Sequence, residues 1–315
     1  MSTTSKFPLL KLPLLVIEHV INRMELVVVL DLAFSSKIFK SVLTNAKLKV
    51  NHFGWTLSHE QTGVSIYRNF ETLEIRVDLE CDLESEQVDL DGTTFSLAKQ
   101  TFEFEGSTWF VSPGKQDDGL KQRSAWKLGT LEVVTSFLMS FVRCRRFKLE
   151  HSLRQNLLSN DFFIWKYLEQ KSLDLEFSGV FGLPFEVISG ILKYAEEDLK
   201  ADIWRVEAQL SNSKSGFEKL NGTLKSWIRG DSLKNLTFLK ILNSSNIDSN
   251  QLFKDIDNQV STFSEFHIFD RMGRVGKKAI SRDIRRESDG RRGTVIVDDF
   301  KFGFIVWIPA YEKKN

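Results

Sequence analysis

A few residues in this chain have types and spacings that could do chemistry. His52 and His59 lie seven residues apart. A zinc site needs further histidine, cysteine or carboxylate ligands at close spacing, and no cysteine or third histidine stands near this pair. "HEQTG" at His59 lacks the second histidine, four residues on, of a zinc-protease helix. "GRVGKK" from Gly273 lacks the upstream glycine and the hydroxyl of a phosphate loop. Cys144 sits in "VRCRRF". Three arginines could lower its thiol pKa if the sulfur were exposed, but burial between a helix and a strand is the favoured reading. G-x-G-x-x-G and G-x-S-x-G strings are absent. A paired-carboxylate site stays open, with nothing to single one out. The expectation is a chain without catalytic residues, metal or cofactor.

Charge and cysteine usage narrow the partners. The net charge of +1 over 315 residues argues against a general polyanion binder. One local exception is residues 271 to 293, with nine Lys/Arg against three acids. This run could track phosphates, yet the nearest aromatic residues for base stacking are Phe269 and Phe300, outside it. Three readings compete: a solvated hairpin with Arg–Asp pairs, a surface for an acidic protein target, and nucleic acid in third place. Arg285, Arg286, Arg291 and Arg292 are the candidate target-binding residues. Cys81 and Cys144 make no disulfide framework, which suits a reducing compartment. The N-x-[ST] triplets at Asn221, Asn235 and Asn243 are then chance matches.

Positioning starts with "FPLLKLPLLVIEHVINRMELVVVLDLAFSSKIFKSVL", residues 7 to 43. Its longest apolar run, Leu12 to Ile17, is only six residues and contains Pro13. That is too short for a signal peptide core or a membrane span of ~20 residues. Pro13 suits a helix start. Leu14, Ile17, Ile21 and Met24 recur at helical spacing, and Leu26, Val29, Leu30 and Phe34 form a second series. Ser35 or Ser36 would cap a third helix. Three short helices have little interior. Leu9, Leu10, Leu12, Leu15, Val16, Val20, Val27 and Val28 cannot all be buried inside it, so some must face a partner or the rest of the chain.

Residues 50 to 112 read as strands: "GVSIYRN", "TLEIRVDLE", "TTFSLAK" and "TFEFEGSTWFV", with turns at Gln61–Gly63, Asp91-Gly92 and Glu105-Gly106. "ECDLESEQVDLD", six acids and no base over residues 80 to 91, reads as a solvated loop or edge. "SPGKQDDG" is a loop. "TLEVVTSFLMSFVRC" reads as a helix, "RFKLEHS" as a strand. A helix–strand alternation follows: "SNDFFIWKYLEQK" (helix, capped by Ser159 or Asn160), "LDLEFSG", "LPFEVISGILKYAEEDL" entered through Pro184, "IWRVEAQLS", "SGFEKLNGTLKSWIRG", "LTFLKILNS" and a closing helix "SNQLFKDIDNQ". Strand centres near 148, 175, 206 and 239 lie roughly 27 to 33 residues apart, as in stacked repeats. Leucine-rich-repeat-like stacking predicts parallel neighbours with helices on one side; ordinary α/β layering is the alternative. Asp289-Gly290 marks a final hairpin.

Two stretches resemble a known family. Leu12-Pro13, the apolar residues to Met24 and "MELVVVLDLAFSSKIFK" resemble an F-box. "FPLLKLP" is similar to the start of the large nematode F-box families, although Leu14 and Leu15 stand where an acidic residue is common. "LKSWIRG", "LTFLKILNSSNID" and "DIRRESDGRRGTVIVDDFKFGFIVW" resemble the F-box-associated domain type 2 of those proteins. That match runs through Trp227, Ile228, Arg229, Gly230, Asp283, Ile284, Arg286, Asp289, Gly290, Thr294 and Val295, and departs at Gly293, where alanine is frequent, and by one residue around Glu287. The resemblance implies an α+β chain: an F-box at 7–45, a β-rich segment at 50–112, leucine-rich-repeat-like units at 120–260 and a closing β-hairpin at 265–310, with the family domain at about 155–307. It further implies the substrate-recognition subunit of an SCF-type (cullin–RING) ubiquitin ligase. Leu9, Leu10, Leu12, Pro13, Leu15, Val16, Val20 and Leu26 would bind the Skp-type adaptor, and through it a cullin. The C-terminal domain would bind a protein target, in cytoplasm, nucleus or both, with no membrane. A non-catalytic scaffold, whose N-terminal helices pack on its own β region, is the alternative.

Overall fold

The computed structural model describes residues 12–58, 62–77, 85–90, 93–102, 106–112, 120–151, 162–177, 184–210, 216–242, 247–262, 279–298 and 301–307, with backbone alone at 85–112, 120–126, 151 and 216–218. Leu9, Leu10, the 113–119 loop, the Ser159/Asn160 cap and the basic residues 271–278 lie outside them. The protein is mixed α/β and divides into two compact units, residues 1–147 and 148–315.

The first unit opens with α1 (Leu14–Ile21), α2 (Leu26–Ser35) and α3 (Lys37–Ala46). Pro13 caps α1 in an extended conformation, where its missing N–H costs nothing. Ser36 caps α3 by accepting from the Phe39 N–H at 3.2 Å. Ile17, Ile21, Leu26, Val29, Leu30, Ala33, Phe34, Phe39 and Leu43 are buried. The two apolar series read from the sequence therefore line the interior, except Leu14 and the half-buried Met24.

The helices share their unit with the β segment. After β1 (Leu48–Lys49) come β2 (His52–Leu57), β3 (Thr62–Arg68), β4 (Glu71–Val77), β5 (Ser85–Leu90), β6 (Thr93–Phe102) and β7 (Gly106–Ser112). Their order is β2-β3-β4-β7-β6-β5, antiparallel but for the parallel β4–β7 pair. β2 lies inside the segment expected to be β-rich but is not one of its four named strands, because it does not alternate: Phe53, Gly54 and Trp55 are all buried. β5 forms the edge of this set within the acidic stretch. α4 (Leu120–Met139) begins ten residues before the expected helix, and β8 (Val142–Arg143) pairs with β1. Trp55 stacks on Phe147 at 5.6 Å and donates its Nε1–H to Thr135 of α4 at 3.1 Å. Gly63 is required: a Cβ there would overlap the Ile75 carbonyl oxygen.

The division between units falls inside β9 (Arg146–His151). In the second unit β9 lies beside β10 (Ser172–Phe177), then β11 (Asp202–Gln209) and β12 (Phe238–Leu242). The β10–β11 and β11–β12 pairs are parallel, joined by α5 (Phe185–Glu197) and α6 (Gly216–Arg229). Of the helix expected over "SNDFFIWKYLEQK", residues 163–167 form a short 3-10 helix, and α7 (Ser249–Leu252) is a single turn. Next to β12 the sheet turns antiparallel: β16 (Lys301–Val306), β15 (Arg292–Asp298), β14 (Ile280–Arg285) and β13 (Gln259–Val260). The expected hairpin is thus part of a larger antiparallel run. Gly290 (φ +71°) turns β14 into β15.

One face of this sheet is apolar, with Leu175, Val206, Leu239, Phe304 and Val295 in register and all buried. Trp227 of α6 packs edge-to-face on Phe304 at 4.8 Å, so α6 covers that face. The opposite face of β9 to β12 carries charge: Lys148 bridges Glu150 and Glu176, and Glu207 bridges Arg205 and Lys240. Burial alone would lower the Lys148 pKa, but the two carboxylates overcome it and raise it. Burial opposes ionisation of Glu207 likewise, and hydrogen bonds from Arg205 and Lys240 win and lower its pKa.

Candidate interaction surfaces

The first candidate surface belongs to the helical module. Leu15 is 77% exposed, Ile38 64%, Leu14 52% and Val16 41%, with Val28 and Leu32 also outward. Pro13 is exposed, and Leu12 and Val20 are half-buried. Among the described adaptor-binding candidates, Leu26 is the correction. It is 2% exposed, because it opens α2 against the β3–β4 turn, where the Glu71 carboxylate accepts its N–H at 3.2 Å. Leu14, Leu32 and Ile38 are the additions. Helical spacing alone assigned Leu14 to the core. It lies one turn before Ile17, at the helix start, where neighbouring elements no longer cover it.

Arg68 holds the module in place. It sits almost wholly buried at the end of β3, donating to Ile21 O at 3.4 Å, to Met24 O and to Glu71 at 2.7 Å. These bonds satisfy the last carbonyl of α1, where a helix leaves acceptors unpaired, and one in the α1–α2 connection. Phe34 of α2 also stacks on Phe137 of α4 at 4.9 Å, and Lys40 lies 4.5 Å over the same ring. The signal for Arg68 was a lone basic residue ending an alternating strand, which the sequence does not set apart from a solvated one.

The second candidate surface lies around β14. Of the four arginines expected to meet a target, Arg286 is a structural residue. Its side chain is 4% exposed; Nε and Nη2 hold Asp289, Nη1 donates to Lys234 O at 2.8 Å, and the guanidinium lies 5.3 Å over Trp227. Arg292 is largely committed too, paired with Asp283 and donating to Thr262 at 2.6 Å. Thr294 bridges Asp283 and the Trp307 N–H, completing a buried polar chain. Arg291 is more open and reaches Asp289 and Lys234 O. Arg285 is exposed. The Arg286 hydrogen bond beside Asp289 holds that carboxyl down from 3.8 to about 2.

A groove of about 770 Å³ runs along the end of β14. Its lining includes Arg285, Arg286 and Arg292, with Ile228, Ile256 and Ile284 supplying apolar surface. Gly293 is required locally: the Phe304 ring, packed on Trp227, occupies the space a Cβ would need.

Among the described residues, those able to carry chemistry stay dispersed. His52 lies edge-on to Tyr67, and Cys144 is buried with its thiol against Arg146 O at 2.9 Å. Among the described residues no cluster of His, Cys, Asp or Glu has metal-binding proximity, and no helix is long and apolar enough to cross a membrane. No family model, no curated protein and no solved structure matches this chain.

Proposed function

We propose that this chain is the substrate-recognition subunit of an SCF-type ubiquitin ligase, its N-terminal helices an F-box that docks on a Skp-type adaptor and its second unit a binder of a protein target. The observation that carries the reading is the outward apolar set Leu14, Leu15, Val16, Val28, Leu32 and Ile38 on a three-helix module whose own core is already filled. Burying a few such side chains stabilises a complex by ~1.5–3 kcal/mol each before ordering costs. The parallel run β10 to β12 with connecting helices agrees with leucine-rich-repeat-like units, closed by the antiparallel strands. On this reading the chain does no chemistry; it raises a rate by holding its target near a ubiquitin-loaded enzyme, in the cytoplasm or nucleus.

The second reading, a scaffold unconnected with ubiquitin, draws on the Arg68 bonds, which tie the helices to β3, and on the Phe34–Phe137 stack, which ties them to α4. Mass spectrometry of proteins that copurify with the full chain separates the two. Recovery of a Skp-type adaptor and a cullin supports the first reading; their absence, with other partners recovered, supports the scaffold.

A further inference from the structure

A missing rung in the second unit's sheet gives its groove a specific chemistry. Gln259 lies opposite Asp283 and Val260 opposite Arg282, and the Ser261 N–H donates to Ser281 O at 3.2 Å. In an antiparallel ladder alternate residues turn their N–H and C=O to the same side. Ser281, Asp283 and Arg285 therefore all address the β13 side. In this register Arg285 would face Asp257, but β13 begins at Gln259. Two residues further on, the Glu287 N–H goes to Ile228 O, at the end of α6, at 2.7 Å. Arg285 is left with one open rung between a strand and a helix end. Among the described residues neither its backbone on that side nor its guanidinium has a partner.

Among the described residues that line the groove around this rung, few charges are free. Lys225 is paired with Asp255, Arg292 with Asp283, Arg229 with Asp231 and Arg286 with Asp289. Arg285, Asp257 and Glu287 remain, beside the isoleucine surface. Such a set suits one residue of an extended chain, which would close the rung with its own C=O and N–H. A neighbouring carboxylate meets Arg285, a neighbouring cation meets Asp257 and Glu287, and an aliphatic side chain covers the isoleucines. We propose that this groove docks an extended segment of a protein target in which an acidic and a basic residue flank an aliphatic one. The proposal rests on the second unit being the target binder.

The test uses the full chain, fluorescently labelled, on an array of immobilised octapeptides with Asp-Val-Lys or Lys-Val-Asp set centrally in alanine–serine flanks. Retention above all-alanine–serine peptides is expected for one of the two orders. Arg285→Glu, at an exposed position, should lower it about tenfold or more and favour peptides with lysine in place of the aspartate. Equal retention by wild type and Arg285→Glu, or no retention at all, overturns the proposal. Adaptor binding is measured on the same samples. Its loss alongside Arg285-dependent peptide retention removes the ubiquitin-ligase reading and leaves the groove; intact adaptor binding without retention does the reverse.

Discussion

Two neighbouring arginines, Arg285 and Arg286, look alike in the sequence and differ wholly in the fold. Arg286 is enclosed by Trp227, Lys234 O and Asp289. Hydrogen bonds to charged groups contribute about 1.5–3 kcal/mol each, and the buried guanidinium also packs on the Trp227 ring. Arg286→Ala should therefore destabilise the second unit by ~2 kcal/mol or more in chemical denaturation, whereas Arg285→Ala should stay within ~0.5 kcal/mol. Similar losses for both would contradict the assignment. Asp289 gives a pH signature. Its carboxyl titrates near 2 in the folded chain against 3.8 ordinarily, a depressed folded value. Its contribution to stability is present above about pH 4 and fades as pH falls towards 2. Because it is mostly exposed, the contribution is screened. NMR titration should give its inflection near pH 2, and Asp289→Asn should remove that part of the acid-range slope in stability. An inflection near 4 would show that the Arg286 pair does not persist in solution.

Elements were legible where one physical signal decided them. Pro13, Ser36 and Pro184 started helices because a cap or a fixed φ acts locally. Asp289-Gly290 turned a hairpin for the same reason. Leu73, Ile75 and Val77 alternate along β4, a period that marks a strand in the sequence itself. β2 falls within the expected β-rich segment, but its bounds depend on Phe53 and Trp55 being placed by Phe147 and α4, which no local pattern reports. The helix expected over "SNDFFIWKYLEQK" is only a 3-10 turn at 163–167, because its aromatic residues favour burial without fixing a helical period; Trp165 packs edge-on to Tyr194 of α5. Of the candidate sites, the apolar surplus of the first helices was legible by counting, since a module that small cannot bury every leucine. The burial of Arg286 and Leu26 was not, because each depends on residues distant in sequence. Arg68 joins two elements in the same way, its partners Ile21 and Met24 lying 47 and 44 positions away. Arg68→Met removes the donors and should cost the first unit ~2–3 kcal/mol. Loss of the Ser36 cap by Ser36→Ala should cost only ~1 kcal/mol. Thermal unfolding of the two variants ranks them, and a smaller effect for Arg68→Met would show that packing alone seats the helices.

At the scale of the whole chain, the proposed function is divided between two units: the outward apolar set on the helices of the first and the charged-rimmed groove in the second. Their separation implies that each can be disabled alone. Leu15→Asp leaves the helical core intact, since that side chain is 77% exposed, and places a charge where an apolar partner surface would close. Leu12→Ala with Pro13→Ala alters the entry to α1 itself. The direct measurement is a titration of the full chain with purified Skp-type adaptor, followed by calorimetry, for wild type and both variants. Saturable binding by wild type is expected, weakened tenfold or more by Leu15→Asp, about the effect of losing one buried leucine, and weakened also by the Leu12/Pro13 double variant, with unfolding of the second unit unchanged in each. No binding by wild type, or the same affinity in all three proteins, would contradict the adaptor-docking role.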